Sequence, residues 1–158
     1  MKKIGIIGIG NLLRKDDGIG IILLQQVQKK KFPATVECLD GGIGGMNLLH
    51  VLPRYESVII IDAVDFHGTP GEWRYVSLQD IRRKKEIIPA STHETDFLNV
   101  LRLSEELQEL PAHVFIFAVQ PKDMTVGTTL SEELTSKLDT LELNLQKKIQ
   151  ERIKAKKL

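Results

Sequence analysis

With a single cysteine, Cys38, among its 158 residues, the chain cannot close an internal disulfide, and a reducing, cytoplasmic compartment is expected. Met1-Lys2-Lys3 leads into too short an apolar segment for a secretory signal, and no run approaches the length needed to span a bilayer. Charge of one sign is missing as well. Lys and Arg total 22 against 21 Asp and Glu, so no global field favours nucleic acid or an acidic membrane surface. Any charged partner must be recognised locally. Two nucleotide signatures are absent: Leu13 stands where a dinucleotide fingerprint begun by Gly8 and Gly10 needs a third glycine, and no Gly-Lys-Ser/Thr follows. There is no Gly-x-Ser-x-Gly elbow, and Cys38 falls inside an expected strand, so no covalent nucleophile suggests itself.

What is present is an alternation of short apolar runs with helical patterns. That is the pattern of βαβ units, and it predicts a three-layer α/β/α fold in which a mostly parallel twisted sheet carries helices on both faces. Strands are expected at 4–7, 35–39, 58–61 and 114–119, with a further extended piece at 72–76 carrying Trp73 and Tyr75. Helices are expected from about Asp17 to Lys30, as a short turn around Met46, Leu49 and Leu52, and from a Ser91/Glu94 capping box onward with Phe97, Leu98 and Leu101 inward. A long terminal helix capped by Ser131 follows, its Leu134, Leu138, Leu141, Leu145 and Ile149 at near-helical spacing. Residues 1–158 read as one domain with a basic helical tail from about 146.

The chemistry gathers at the ends of strands. An apolar strand runs into the glycine turn Gly8-Ile9-Gly10, and the loop closes on Asp16-Asp17-Gly18-Ile19-Gly20. Paired carboxylates at a helix start would repel a pyrophosphate, so the expected ligand is a cation. In open α/β sheets ligands bind beyond the carboxyl ends of the strands. Asp16 and Asp17 follow the first strand, Asp40 the second and Asp62 the Ile-rich third, while His93 opens a helix, so all should converge on one crevice. One imidazole with two or three carboxylates suits zinc or nickel better than calcium or magnesium, which prefer all-oxygen shells. Either Asp16 or Asp17 is expected to cap the first helix, and Asp16 is assigned that role.

Other polar residues have structural explanations. Asp65 and His67 form a rival metal pair, but the Gly-Pro turn beside them suggests a solvated loop. His50 and His113 read as helix-end and strand-start residues, Cys38 as a small core residue and Trp73 as packing over a sheet edge. The basic runs Arg82-Arg83-Lys84-Lys85 and Lys147 to Lys157 read as solvated faces, the second also favourable at a helix C-terminus.

Taken in order, Gly10-Asn11-Leu12-Leu13 through Asp16-Asp17-Gly18-Ile19-Gly20, then Asp40-Gly41-Gly42, Asp62-Ala63 and Thr92-His93, resemble the hydrogenase maturation endopeptidases. Val119-Gln120-Pro121 followed by Gly127 and Leu130-Ser131 is similar to that family's late motif, so the resemblance extends to about Gln150. It implies a twisted sheet between helices and an endopeptidase that cuts a C-terminal extension from the precursor of a nickel-iron hydrogenase large subunit after nickel insertion. It also implies that Asp17, Asp62 and His93 are the catalytic and metal-contacting residues, with Asp17 replacing the glutamate of some members by a shorter acid. Asp40, with Gly41 and Gly42, matches the position associated with substrate selection. The nickel is expected to arrive with the substrate, although zinc or another divalent cation fits the same donors. The hydrogenase large subunit precursor is then the partner, with neither nucleic acid nor membrane. A non-enzymatic nickel-binding maturation factor and a nucleotide-binding α/β domain are the alternatives, the latter resting on fold analogy alone.

Overall fold

The computed structural model describes residues 3–84 and 94–156. Strand β1 (Lys3–Gly8) leads through a 3-10 turn at Lys15–Gly18 into helix α1 (Ile19–Gln28), and strand β2 (Val36–Asp40) follows. Two further 3-10 turns, Met46–His50 and Leu52–Arg54, enter strand β3 (Tyr55–Ala63). Strand β4 (Trp73–Ser77), helix α2 (Leu78–Lys84), helix α3 (Glu94–Glu106), strand β5 (His113–Val119) and helix α4 (Glu132–Lys156) complete the chain.

The five strands lie in the order β2-β1-β3-β5-β4, all parallel except β4, which runs antiparallel to β5. Every second residue of β3 enters one core. Ile59 and Ile61 meet Ile4 and Ile6 under α1 and α4, while Val58 and Ile60 meet Ile7 under α3 and the 3-10 turns. A strand buried on both faces reads as a continuous apolar run, which is why β3 carries Val58-Ile59-Ile60-Ile61 without alternation. The layered α/β/α expectation is met. At the β4 edge, Trp73 stacks on Phe117 and Tyr75 on Phe115, both with ring centroids 5.1 Å apart.

Three local expectations change. The first helix begins at Ile19 rather than Asp17, because the loop first makes a separate tight turn. The helix expected around Met46 is two 3-10 turns, divided where Pro53 cannot donate an N–H. The basic tail is not merely a solvated face. Helix α4 continues to Lys156 with Ile149 and Ile153 buried, the Lys148 ammonium lies 5.1 Å from the Tyr75 ring centre, and the Arg152 guanidinium lies 4.8 Å from that of Phe115.

The connections define where a ligand fits. From β1 the chain leaves by α1 on one face to reach β2, then returns across the other face to β3 on the opposite side of β1. Adjacent strands whose connections diverge to opposite faces open a crevice at their carboxyl ends. Here that point lies between β1 and β3.

Candidate active site

The loop that leaves β1 is pressed against β3 and α1. Ile9 N–H donates to Ile61 C=O at 2.9 Å, so the chain stays on β3 after the strand formally ends. Gly10 has φ +156, and a Cβ there would fall 2.1 Å from the carbonyl oxygen of Asp17. At Gly20 a Cβ would lie 2.2 Å from Ile9 O and 2.3 Å from Ile61 O, so only glycine lets the first turn of α1 touch both strands. The glycines that looked like a nucleotide loop thus serve close backbone packing beneath two acids.

Both acids are fully buried, Asp16 and Asp17 each at 0% exposure. They divide the work differently from the expected helix cap. Asp16 makes no cap to α1, whose N-terminus has no side-chain cap at all. Its Oδ2 instead accepts the N–H groups of Lys122 and Asp123 at 2.9 and 3.0 Å, and its Oδ1 accepts that of Ser131 at 2.7 Å. Asp16 therefore ties the β1 loop to the segment that starts α4. The cap assignment fails because the competing donors come from about a hundred residues downstream and are invisible in the local pattern. Ser131 does cap α4, its Oγ accepting Leu134 N–H at 3.4 Å.

Asp17 Oδ2 accepts the N–H of Asn11 at 3.1 Å. Asp62, 6% exposed, is the penultimate residue of β3, paired with Ala118 of β5. By the alternation of β3 it shares a face with Val58 and Ile60, the face on which Phe97, Val100 and Leu101 of α3 pack. Asp62 thus stands at the end of β3, and Asp17 in the 3-10 turn of the loop that leaves the end of β1, the two strands that bound the crevice. His93 lies outside the described residues, as does the Ser91 of the expected capping box. Among the described residues no group of three or more His, Cys, Asp or Glu is placed to hold a metal ion. The donor types at hand are two buried carboxylates, which suit a divalent cation and offer nothing to a phosphate.

The Asp40-Gly41-Gly42 turn sits beside them. Gly41 N–H donates to Gly8 C=O and Gly10 N–H to Gly42 C=O, both at 2.8 Å, so the turn borders the β1 loop. Asp40 is exposed, and its Oδ1 accepts the N–H of Gly42 at 2.8 Å. That bond is the ordinary turn-stabilising role of aspartate, and Gly42 at φ +57 fits it. Asp65 and His67 do not make a metal pair on this geometry: Asp65 Oδ1 accepts His67 N–H at 2.9 Å and Gln120 Nε2 at 3.1 Å, and the His67 side chain is 80% exposed. Those hydrogen bonds hold the Asp65 carboxyl below its usual range.

Gln120, which the sequence placed in the Val119-Gln120-Pro121 motif without a role, has a structural one. It is buried, and its Oε1 accepts Phe66 N–H at 2.9 Å and Gly68 N–H at 3.0 Å, clamping the loop that follows Asp62. Besides the motif, the signal was an amide directly after a buried strand, where an unsatisfied polar group would be costly.

A family model described as hydrogenase maturation protease matches residues 22–152. The hydrogenase expression/formation protein HoxM of Azotobacter vinelandii is 31% identical over 136 residues, which cover 85% of this chain and 66% of HoxM. The chain therefore spans slightly less than two thirds of that relative's length. Among solved structures, the hydrogenase maturating endopeptidase HybD from E. coli superposes with a TM-score of 0.84 at 23% identity, over 95% of this chain and 93% of that one. The [NiFe] hydrogenase maturation protease HybD from Thermococcus kodakarensis gives 0.77 at 25% identity, over 92% of this chain and 97% of that one.

Proposed function

The chain belongs to the hydrogenase maturation protease family, and on that premise we propose that it is an endopeptidase that removes the C-terminal extension of a nickel-iron hydrogenase large subunit precursor after nickel insertion. The observation that carries this reading is the burial of Asp17, in the 3-10 turn of the loop that leaves β1, and of Asp62, at the carboxyl end of β3, beside the point where the connections of the sheet diverge. Carboxylate oxygens are the donors a divalent cation takes, and a cation delivered by a partner is the ligand that buried acids at this place suit.

In this reading residues 1–158 act as one protease domain in the cytoplasm. Nickel comes as part of the substrate. Asp17, Asp62 and His93 contact it through their oxygen and nitrogen donors, which positions the scissile peptide over the crevice. One carboxylate accepts the proton of the attacking water, and His93 carries a proton towards the leaving amine. The same donors accommodate zinc or another divalent cation. The Asp40-Gly41-Gly42 turn faces the incoming chain and contributes to substrate selection. Among the described residues no helix is long and apolar enough to cross a membrane.

The test is intact-mass analysis of the large subunit precursor after incubation with the purified protein, with and without nickel loaded. Loss of the C-terminal extension only from the nickel-loaded form supports the proposal. Stoichiometric, high-affinity nickel binding by the protein alone, with no cleavage, would instead favour a nickel-binding maturation factor.

A further inference from the structure

Large apolar side chains are exposed unevenly over the described surface. Leu107, just beyond α3, and Leu143, on α4, stand singly, as surface leucines often do. Leu12 (43% exposed), Leu13 (64%), Ile43 (53%), Met46 (53%) and Val126 (86%) all belong to the segments that surround the carboxyl end of β1.

These segments are stitched together by their backbones. Gly127 N–H donates to Leu13 C=O at 2.9 Å, and Lys15 N–H to Gly127 C=O at 3.1 Å, which sets Val126 beside the Leu12-Leu13 loop. On the other side Gly10 N–H donates to Gly42 C=O at 2.8 Å, next to Ile43. The loops are also locked: Asp16 holds the N–H groups of Lys122 and Asp123, and Arg14 Nε donates to Met124 C=O at 3.1 Å. Loops fixed so thoroughly, yet holding leucine, isoleucine and valine out into water, display those side chains without the ordering cost that binding otherwise incurs. Nearby cations are engaged within the protein, Lys15 with Asp123 at 3.0 Å and Lys122 with Glu133 at 3.1 Å. The rim therefore offers little to an acidic partner and much to an apolar one.

We propose that Leu12, Leu13, Ile43, Met46 and Val126 form the docking rim for the polypeptide substrate and receive apolar side chains of an extended segment that flanks the bond to be cut. The inference rests on the endopeptidase reading and deepens it. It shifts substrate selection from the Asp40 carboxylate, whose Oδ1 is bonded within its own turn, to the apolar residue that the turn presents, Ile43.

The experiment compares wild type, a Leu13→Asp/Val126→Asp double variant, and Leu143→Asp as a surface control. Precursor binding is measured without turnover at low temperature and processing is measured separately. Burial of the two side chains predicts that the double variant binds the precursor at least about tenfold more weakly and shows a raised KM with unchanged kcat. Leu143→Asp should match wild type in both, and melting temperatures should be alike. Equal binding by wild type and the double variant overturns the rim, as does failure of wild type to bind the precursor at all. Sedimentation showing a wild-type dimer that the double variant breaks also overturns it, by making the rim a contact between copies. Precursor that is bound in the rim-dependent way but never cut contradicts the endopeptidase reading and leaves the rim standing.

Discussion

At the amino-terminal edge of the sheet, charge is answered by charge. Glu37 of β2 accepts from the Lys3 ammonium, from Tyr55 Oη at 3.0 Å and from Arg54 Nη2 at 3.2 Å, so its carboxyl is held below the usual range. Burial, aided by the bond to Glu37, pushes the Tyr55 phenol up to about 12. At the carboxyl-terminal edge the outer acids are also paired, Asp123 with Lys15 and Glu133 with Lys122, but the buried acids receive backbone dipoles: Asp16 three N–H groups from the start of α4 and the loop before it, and Asp17 the N–H of Asn11 among its partners. Side-chain pairs can rearrange and exchange with water at small cost, whereas peptide N–H groups fix a carboxylate's position without adding a full positive charge. One edge is thereby built to be electrically quiet. The other fixes its buried carboxylates in place, as the proposed contact with a substrate-borne cation requires.

The comparison can be broken most decisively at Asp17 and Asp62. Replacing either with asparagine keeps the shape and removes the charge, so precursor processing should fall by roughly 100-fold or more while the melting temperature changes little. An unfolded variant would mean that these acids serve the fold instead. Asp16→Ala should act the other way round. It leaves three N–H groups without their acceptor, each worth roughly 1–3 kcal/mol where water cannot replace it, so a loss of about 3 kcal/mol is expected in chemical denaturation.

Smaller effects sharpen the contrast. Glu37→Gln removes the hub of the opposite edge, and since exposed ion pairs contribute roughly 0–1 kcal/mol, stability should fall by no more than about that and processing should be untouched. The smallest effect is at Asp123. Bonds from Thr125 and Lys15 lower its carboxyl from an ordinary 3.8 to about 2. A depressed folded value means that the stabilisation is fully present above the ordinary value and is lost as pH falls through about 2. The Thr125 amide resonance, monitored by NMR, should therefore titrate near 2; a midpoint at or above 3.8 would show that the bonds of Asp123 to Thr125 and Lys15 are not formed.

Periodicity made the layers legible because the cores on both sheet faces are built from local patterns. Ile59 and Ile61 alternate with Val58 and Ile60, and α4 repeats Leu134, Leu141, Leu145 and Ile149. The order of acids on strand ends likewise placed Asp17 and Asp62 at one edge. What escaped was set by partners remote in sequence. Asp16 finds Ser131 across 115 positions, Gln120 finds Phe66 across 54, and Arg152 reaches Ser57 Oγ at 3.3 Å across 95. Strand β3 extends to Tyr55 because that residue pairs with Lys3, a bond that no property of the segment 55–57 announces. His93, expected from the order of motifs, lies outside the described residues.

The most direct measurement of the central claim is the mass of a nickel-loaded large subunit precursor after equal incubation with wild type, Asp62→Asn and Glu37→Gln. The account predicts that wild type and Glu37→Gln release the C-terminal extension at the same rate, while Asp62→Asn, folded to the same degree, leaves the precursor at full length. Release by Asp62→Asn at the wild-type rate, or an uncut precursor in all three reactions, would contradict it.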